Sequence, residues 1–317
     1  MPTVGIFSAF NFEGYDLERP IFEKAGVSVR LSLTSEEYQA MLPDIDGLIV
    51  ANMPVTADDI ERMGRCKVIV RQGMGVDNID VEAATSRNIA VCNVPAYNIE
   101  EVSDYALAAV TMLLRHLPFY DQAIKTQKNW MYKAFPIMRR FSDVTLGIIG
   151  FGKIGQLLAR KAKPIFGRIM AHDPFINGER ARELGVEAAN FENLLASSDV
   201  ISLHLPYTKE THHIMDRAAF KLLKKGAYVV NAARGGLIDD SALLEAIESG
   251  IVYGAALDMT EDMEWPDLSK PIYNTLQVIN TPHCAWYTQE ALDTSRIVAA
   301  QEAVDAIEGR TPVGRLN

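Results

Sequence analysis

The sequence predicts two α/β domains, each built on a doubly wound parallel β-sheet with helices on both faces. Short apolar runs of strand length alternate with segments of helical periodicity along almost all of the 317 residues. This alternation is typical of parallel sheets whose strands are joined by helices. The length points the same way, because roughly 100–200 residues per domain gives about two domains.

The composition excludes several classes of protein. The 31 Lys and Arg residues against 41 Asp and Glu residues give a net charge of −10, which is unfavourable for sequence-independent binding to nucleic acid. No apolar run approaches 18 residues, and the N-terminus lacks the pattern of a signal peptide. Three widely spaced cysteines (Cys66, Cys92, Cys284) predict neither a disulfide framework nor a metal site. We therefore expect a soluble, cytoplasmic protein with no metal and no membrane or nucleic-acid partner.

The first part of the chain carries short apolar strand candidates bounded by polar or glycine-containing turns. They are Val4–Phe7, Gly47–Val50, Val68–Val70 and Ile89–Cys92, with helix candidates Pro20–Ala25, Glu36–Met41, Ala57–Met63 and Val81–Ser86 between them. Apolar runs without alternation indicate strands that are covered on both faces. This part therefore predicts a parallel sheet enclosed by helices.

A long helical segment separates the two halves of the chain. Residues 99–126 contain no glycine and carry small and apolar side chains at helical spacing, with Pro118 inside the segment. This pattern predicts a helix, a kink and a second helix. The segment is too long for an ordinary crossover, so we expect it to link two domains.

The second half carries six further strand candidates, which suit a complete dinucleotide-binding sheet. They are Val144–Ile149, Arg168–His172, Val200–Leu205, Ala227–Asn231, Tyr253–Leu257 and Gln277–Asn280. The last helix candidate, Gln289–Ile307, would pack on the first domain. We therefore predict one domain from residues 1–98 and 288–317, a second domain from residues 99–287 inserted into it, and a cleft where the chain crosses between them.

The strongest local motif is Gly150-Phe-Gly152-Lys-Ile-Gly155, which directly follows a strand candidate and opens a helix candidate. This strand–turn–helix context is what makes such a motif specific. Gly150 would allow the tight turn, Gly152 would let backbone approach a pyrophosphate, and Gly155 would let the helix pack closely on the strand. The first helical residues, Lys153 and Ile154, would supply NH donors and a favourable helix dipole.

An acidic residue completes this motif. Asp173 ends the next strand candidate, eighteen residues after Gly155. A carboxylate at this place binds a ribose 2′-hydroxyl and repels a 2′-phosphate. The sequence therefore predicts a Rossmann domain that binds NAD rather than NADP.

Two more candidate residues follow strand candidates, at the sheet edge where such folds bind ligands. Arg234 lies in Asn231-Ala-Ala-Arg-Gly-Gly, and its planar guanidinium suits a carboxylate or a keto oxygen. His283 lies in Thr281-Pro-His, and imidazole titrates near neutral pH, which suits a general acid. Taken alone, the histidine fits a structural role equally well.

These motifs together resemble the D-isomer-specific 2-hydroxyacid dehydrogenase family. The motifs of the second domain occur along the chain in the same order as in that family: Gly150–Gly155 with Asp173, Leu203–Pro206, Asn231–Gly236, Gly254–Asp258 and Thr281–His283. Two segments of the first domain also resemble the family, Gly73–Asp80 and Val91–Pro95. The resemblance covers roughly residues 45 to 300. Within the family, Pro282–Tyr287 and Arg71 look most like the branch that contains the C-terminal binding proteins.

The resemblance implies a Rossmann NAD-binding domain inserted into a flavodoxin-like substrate domain. It also implies NAD(H)-dependent reduction of a small 2-keto acid to the D-2-hydroxy acid, and the reverse reaction. Arg234 would hold the substrate carboxylate and carbonyl, His283 would donate the proton to the carbonyl oxygen, and Asp258 would hydrogen-bond the nicotinamide carboxamide. The further cofactor contacts implied are Leu205, Pro206, Ala232 and Ala233.

The substrate domain would complete the binding of the substrate. By the same resemblance, backbone NH groups of Met74 and Gly75 would grip its carboxylate, and Arg71 would take part in binding. Trp286 would either wall the substrate pocket or fill a core near the hinge. We also expect a homodimer that forms through the NAD domain.

One position departs from the family pattern. The family pairs its histidine with a Glu five residues after the Asp of its Ala-Leu-Asp motif, and this count from Asp258 gives Met263. A one-residue bulge would bring Glu264 into place, and we take Glu264 as the predicted partner of His283. Glu261, or no carboxylate at all, is the alternative.

Two other functions stay open at this point. One is a 3-phosphoglycerate dehydrogenase, which belongs to the same class of enzyme. The other is an NADH-sensing, corepressor-like scaffold with residual activity, which the departure at Met263 favours.

Overall fold

The computed structural model describes residues 1–7, 14–261 and 267–317. The chain divides into two compact units: unit 1 is Met1–Asn98 with Tyr287–Asn317, and unit 2 is Ile99–Trp286. Each unit holds one parallel sheet covered by helices, so the predicted fold class is confirmed. None of the described helices has the length and apolarity needed to cross a membrane.

Unit 1 contains a sheet of five parallel strands in the order β2-β1-β3-β4-β5. The strands are β1 (Thr3–Phe7), β2 (Ser28–Ser32), β3 (Gly47–Val50), β4 (Val68–Arg71) and β5 (Ala90–Cys92). Its helices are α1 (Arg19–Lys24), α2 (Ser35–Met41), α3 (Ala57–Arg62) and α4 (Val81–Ser86), together with the C-terminal helix Gln289–Ile307. That last helix covers one face of the sheet with Ala299, Ala300 and Ala303, whose small side chains allow close packing.

Strand β2 was not predicted from the sequence. It lies at the edge of the sheet, pairs only with β1, and is mostly only partly buried. An edge strand buries fewer apolar side chains than an inner strand, so its sequence lacks the continuous apolar run that marked the other four.

Unit 2 contains a sheet of seven parallel strands in the order β12-β11-β10-β9-β6-β7-β8. The strands are β6 (Thr145–Ile149), β7 (Arg168–His172), β8 (Glu187–Ala188), β9 (Val200–Leu203), β10 (Ala227–Asn231), β11 (Val252–Leu257) and β12 (Val278–Asn280). Its helices are α5 (Ile99–Leu114), α6 (Leu117–Gln127), α7 (Lys153–Ala162), α8 (Gly178–Glu183), α9 (Phe191–Ser197), α10 (Arg217–Leu222), α11 (Asp240–Glu248) and α12 (Pro271–Asn274); the C-terminal helix of unit 1 is α13.

The strand order of unit 2 reverses between β6 and β9. The chain runs outward from β6 to β7 and β8 on one side, and from β9 to β12 on the other. In open α/β sheets, ligands bind beyond the carboxyl ends of the strands at such a reversal. The topology therefore predicts a ligand site at the residues that follow β6 and β9.

The long helical segment breaks two residues before the predicted position. Helix α5 ends at Leu114, and His116 has a positive φ of 54°, while Pro118 lies in the first turn of α6. A left-handed residue ends a helix, whereas proline is compatible with a helix start because its missing NH would have no partner there.

Candidate active site

The turn between β6 and α7 brings two chain segments into contact. Gly150 has a φ of 92°, and a Cβ at this residue would lie 2.5 Å from the carbonyl oxygen of His204, which follows β9. A Cβ on Gly155 would overlap the carbonyl oxygen of Gly150. Both positions therefore require glycine, one for its backbone conformation and for space, the other for space alone.

The same turn leaves the start of α7 open on its outer side. Gly152 is the N-cap, no side chain caps this ten-residue helix, and a Cβ on Gly152 would have no atom of the described chain within 4 Å. The first NH groups of a helix lack partners within the helix and carry partial positive charge. This cradle fits the pyrophosphate of a dinucleotide.

Asp173 lies beside this cradle, directly after β7. Its Oδ2 accepts a hydrogen bond from the NH of Phe151 at 2.8 Å, and its Oδ1 accepts one from the NH of Phe175 at 2.8 Å. Each carboxylate oxygen has a further lone pair. The side chain is only partly buried, so it is placed to accept a ribose hydroxyl.

His204 supports the turn from the β9 side. Burial lowers the pKa of His204 to about 4, and a hydrogen bond of 2.8 Å joins its Nε2 to Oγ of Ser202. Its Nδ1 is buried and has no hydrogen-bond partner in the described part of the chain. The imidazole is therefore neutral at pH 7, which makes it a structural group rather than an acid. The predicted cofactor contacts Leu205 and Pro206 follow it.

The loop that carries Arg234 follows β10 and is fixed by a buried amide. Nδ2 of Asn231 donates to the carbonyl of Arg234 at 2.8 Å, and its Oδ1 accepts from the NH of Ala233 at 3.1 Å. Nη1 of Arg234 donates to the carbonyl of Ala233 at 2.8 Å. A Cβ on Gly235 would overlap the backbone of Thr260, so this loop lies directly against the segment after β11.

The turn that carries His283 is organised by Asp258, which is only 1% exposed. Oδ1 of Asp258 accepts from Oγ1 of Thr281 at 2.6 Å and from the NH of Cys284 at 2.9 Å. Its Oδ2 accepts from the NH of Ala285 at 2.9 Å. One buried carboxylate therefore binds the chain on both sides of the histidine, and three donors compensate the burial of its charge.

His283 itself has a φ of 51°, a conformation that favours glycine. Such a residue costs about 1–3 kcal/mol and persists only where its surroundings hold it. Here the NH of His283 donates to the carbonyls of Asp258 at 2.9 Å and Thr281 at 3.0 Å, in addition to the hydrogen bonds that its neighbours donate to the Asp258 carboxylate. Left-handed backbone at a candidate catalytic side chain indicates that the turn is built to place that side chain.

The neighbours of His283 give no sign of thiol chemistry. Burial, and secondarily the charge of Asp258, raises the pKa of the Cys284 thiol. A protonated thiol is a poor nucleophile, so Cys284 is a packing residue. Trp286 is partly buried at the end of unit 2.

The candidate substrate loop of unit 1 follows β4. Nη2 of Arg71 donates to Oδ1 of Asn52 at 3.0 Å. Nδ2 of Asn93 donates to the carbonyl of Met74 at 2.7 Å, which fixes the loop. In the described part of the chain, neither the NH of Met74 nor that of Gly75 donates a hydrogen bond. Two adjacent NH groups of this kind form a small anion-binding site.

Of the two carboxylates predicted as partners of His283, the structure describes only Glu261. Glu264 lies outside the described residues, as does Met263. The alternative, Glu261, is described, and its Oε1 accepts a hydrogen bond from Nε2 of His213 at 2.7 Å. Glu261 thus pairs with a histidine other than His283.

Sequence reasoning missed several supporting residues of this site. Asn231 and Thr281 belong to the motifs Asn231–Gly236 and Thr281–His283, but the sequence does not show that their side chains hold the two loops. Tyr105 of α5, whose hydroxyl lies 2.6 Å from Oγ1 of Thr281, had no sequence signal at all. The pairing of His213 with Glu261 also has no signal in the sequence.

A doubly wound parallel sheet with an open, glycine-lined helix start and a neighbouring acid defines unit 2 as a dinucleotide-binding unit. Residues 107–285 match the model of the D-isomer specific 2-hydroxyacid dehydrogenase, NAD binding domain. The chain therefore belongs to the D-isomer specific 2-hydroxyacid dehydrogenase family, and NAD is confirmed as the cofactor of this domain. The branch with the C-terminal binding proteins stays a prediction.

Relatives agree with this assignment. The chain is 38% identical over 284 residues to D-3-phosphoglycerate dehydrogenase of Archaeoglobus fulgidus, covering 89% of this chain and 53% of that protein. It thus spans about half the length of the curated relatives it matches. A D-lactate dehydrogenase structure from Aquifex aeolicus, complexed with NAD and lactic acid, superimposes with a TM-score of 0.85 at 28% identity, covering 96% of each chain. The TT0316 protein of Thermus thermophilus has a TM-score of 0.86 at 28% identity, covering 99% of this chain and 100% of that one.

Proposed function

We propose that this protein interconverts a D-2-hydroxy acid and the corresponding 2-keto acid in an NAD-dependent reaction. The observation that carries the proposal is the common position of three groups in unit 2. The glycine turn follows β6, Arg234 follows β10, and His283 follows β12. All strands of the sheet are parallel, so these groups stand at its carboxyl edge, where such folds bind their ligands.

The chemistry divides between the cofactor and the chain. When bound, the nicotinamide supplies a hydride to the carbonyl carbon in reduction and accepts it in oxidation. His283 donates its proton to the carbonyl oxygen in reduction and takes it back from the hydroxyl in oxidation. Arg234 holds the substrate carboxylate and stabilises negative charge that develops on the oxygen.

The residues of unit 2 fit the cofactor. The NH groups of Lys153, Ile154 and Gly155 at the start of α7 hold the pyrophosphate, and Asp173 holds the ribose. Asp258 accepts hydrogen bonds from Thr281, Cys284 and Ala285, and it is the proposed acceptor for the nicotinamide carboxamide. Four further residues at the strand ends line the cofactor site: Leu205, Pro206, Ala232 and Ala233.

Unit 1 supplies binding groups for the substrate. The adjacent NH groups of Met74 and Gly75 bind its carboxylate, and Arg71 adds a cation to the same loop. Trp286 walls the substrate side chain. Because the net charge is −10, these local groups must attract an anionic substrate against the overall field of the protein.

A second substrate class is favoured by the relatives and by Arg71. The curated relatives at 37–39% identity are D-3-phosphoglycerate dehydrogenases. A phosphorylated substrate has a second anionic group, and Arg71 supplies a second cation in addition to Arg234. The candidate alternative is therefore a 3-phosphoglycerate dehydrogenase, and substrate preference separates the two.

We keep Glu264 as the proposed carboxylate that orients His283. The described alternative, Glu261, already binds His213 at 2.7 Å, which supports this choice. Replacing Glu264 by Gln should lower kcat and change its pH profile, because a carboxylate beside imidazole stabilises the protonated form. An unchanged kcat and pH profile would contradict the assignment.

The proposed assembly is a homodimer through the NAD domain. Large apolar side chains on and after α6 are exposed, among them Trp130 (82%) and Tyr132 (76%). Exposed aromatic residues of this density are unusual on a monomer. Sedimentation of the wild type and of a Trp130→Glu/Tyr132→Glu variant tests the proposal, and a wild type that sediments as a monomer contradicts it.

Oxidation of NADH with a panel of 2-keto acids tests the proposed function. The panel includes pyruvate, longer branched 2-keto acids, hydroxypyruvate and its 3-phosphate. We expect turnover of at least one member, and a loss of kcat/KM by about two orders of magnitude in Arg234→Gln, because a charged hydrogen-bond pair to the carboxylate is lost. Preference for the phosphorylated member, reduced in Arg71→Gln, would select the second substrate class. Intact NADH binding without turnover of any member would overturn the proposal.

A further inference from the structure

Tyr105, in the middle of α5, is joined to the turn that carries His283. Its hydroxyl lies 2.6 Å from Oγ1 of Thr281, and Oγ1 of Thr281 donates at 2.6 Å to Oδ1 of Asp258. Asp258 in turn accepts hydrogen bonds from the amides of Cys284 and Ala285, the two residues after His283. Two hydroxyl groups thus connect a helix to the carboxylate that organises the turn.

The direction of these hydrogen bonds follows from the number of protons. Thr281 has one hydroxyl proton, and it goes to Asp258, because an ionised carboxylate only accepts. Tyr105 must therefore be the donor in its bond to Thr281. Burial raises the pKa of Tyr105 to about 12, so the phenol keeps its proton at neutral pH. Tyr105 therefore donates to Thr281, and Thr281 donates to Asp258.

We infer that Tyr105 is a positioning residue that acts on His283 through Thr281 and Asp258. The inference rests on the proposed function, in which His283 is the proton donor. Without the Tyr105 hydroxyl, Oγ1 of Thr281 loses its donor and is free to rotate away from Asp258.

A less constrained carboxylate then holds the following amides less firmly. His283 is sensitive to this loss because its φ of 51° is maintained by its surroundings. A histidine that departs from this conformation no longer presents its imidazole in the orientation required for proton transfer. The larger effect falls on the chemical step, because the pyrophosphate and ribose contacts of the proposed cofactor site lie at the β6 turn and do not involve Tyr105 or Thr281.

The test compares Tyr105→Phe with a matched control, Tyr228→Phe. Tyr228 belongs to the same unit, and its hydroxyl makes a hydrogen bond of 2.6 Å with Nε2 of His116, at the other end of β10 from Arg234. Each variant removes one partly buried hydroxyl and one short hydrogen bond. A general loss of stability therefore affects both variants, whereas a loss of positioning affects only Tyr105→Phe.

Two measurements are made on the whole 317-residue chain. In steady-state kinetics, Tyr105→Phe should lower kcat about 5- to 10-fold, the equivalent of one neutral hydrogen bond, with KM for NADH and for the keto acid changed less than about threefold. In amide hydrogen exchange without substrate, Cys284 and Ala285 should exchange about tenfold faster, since their acceptor is less constrained. Tyr228→Phe should change neither kcat nor these amides by more than about twofold.

Variants of Thr281 provide a rescue. Thr281→Val removes the hydroxyl and should reproduce Tyr105→Phe, whereas Thr281→Ser keeps it and should retain most of the wild-type kcat. Unchanged exchange at Cys284 and Ala285 in Tyr105→Phe would overturn the inference, as would equal losses of kcat in the two tyrosine variants.

Failure of the proposed function gives a different result. The wild type itself would then lack turnover with every keto acid of the panel. The exchange comparison requires no turnover, so it still decides whether Tyr105 holds the turn around His283.

Discussion

The turn after β6 and the turn after β12 stand at the same edge of one sheet, and they are built in opposite ways. The β6 turn is possible only without side chains at Gly150 and Gly155, because neighbouring backbone occupies the space that a Cβ would need. The β12 turn has His283 in a left-handed conformation, held by hydrogen bonds to Asp258. One turn is shaped by available space, and the other by polar contacts with Asp258, which follows the neighbouring strand β11.

This difference determines which changes each turn tolerates. The β6 turn should be sensitive to added atoms, even to a single methyl group. The β12 turn should be sensitive to the loss of polar atoms, even where volume is kept. The proposed cofactor cradle therefore depends on the absence of atoms, and the proposed proton donor on the presence of particular ones. Four predictions follow this contrast from the largest expected effect to the smallest.

Replacing His283 by Gln should have the largest effect. A positioned general acid contributes about 10²–10⁴ in rate, so we expect kcat to fall by that factor while the Kd of NADH changes less than about threefold. Single-turnover kinetics and fluorescence titration measure the two quantities. His212→Gln, at an exposed position, is the control and should be fully active. A decrease of less than about tenfold in His283→Gln would show that another group donates the proton.

Two glycine substitutions should separate stability from cofactor binding. Gly155→Ala should lower the free energy of unfolding by about 3 kcal/mol, because its Cβ overlaps the backbone of Gly150. Gly152→Ala should change it by less than about 1 kcal/mol, since no protein atom of the described chain is near that Cβ. It should nevertheless weaken NADH binding at least about tenfold, because the pyrophosphate approaches there.

Urea unfolding and NADH titration of both variants check this pair. If Gly152→Ala bound NADH as tightly as the wild type, the open start of α7 would not be the pyrophosphate site. If Gly155→Ala were as stable as the wild type, the turn would not depend on close approach.

The neutral histidine beside the glycine turn should make stability depend on pH. The pKa of His204 is about 4 in the folded protein and about 6.5 in an unfolded chain, so its contribution is complete above pH 6.5 and is lost as the pH falls towards 4. Between pH 7.5 and pH 5, this loss amounts to about 2 kcal/mol.

Urea unfolding of the wild type and of His204→Gln at the two pH values isolates the effect. The variant should lose about 2 kcal/mol less stability than the wild type over this range. Equal losses would show that His204 is protonated in the folded protein, or that its ring is accessible to water.

Cofactor choice should show the smallest effect. Asp173→Asn removes the negative charge beside the ribose, so NADH should bind about tenfold more weakly and the preference for NADH over NADPH should decrease. Fluorescence titration with both cofactors measures this. An unchanged preference would assign the choice of cofactor to other residues.

The same contrast explains what the sequence predicts and what it does not. The β6 turn is encoded within six consecutive residues, so its motif and its role in the fold were both predictable. The support of His283 comes from Asp258, Thr281 and Tyr105, which are up to 176 positions apart in the chain. Hydrogen bonds over such separations leave no local pattern, because each residue taken singly is an ordinary member of a strand, turn or helix.

Strand β2 and the pair formed by Glu261 and His213 are two further features that the sequence did not predict. Strand β2 is an edge strand without a continuous apolar run, and it was missed for that reason. The pairing of Glu261 with His213 joins residues 48 positions apart, and a count along the chain cannot distinguish it from pairing with His283. Apolar patterns and glycine motifs thus predict the sheets and the cradle, whereas the orientation of polar side chains requires the folded structure.

The buried carboxylate of Asp258 would affect how constant the distance between the nicotinamide and His283 stays. In the proposed site, one oxygen pair would contact both the nicotinamide carboxamide and the amides that follow His283. Thermal displacement of this side chain would then move the hydride carrier and the proton donor in the same direction at the same time. Their separation would fluctuate less than the position of either, so a shared support would preserve the relative distance on which concerted transfer of hydride and proton depends.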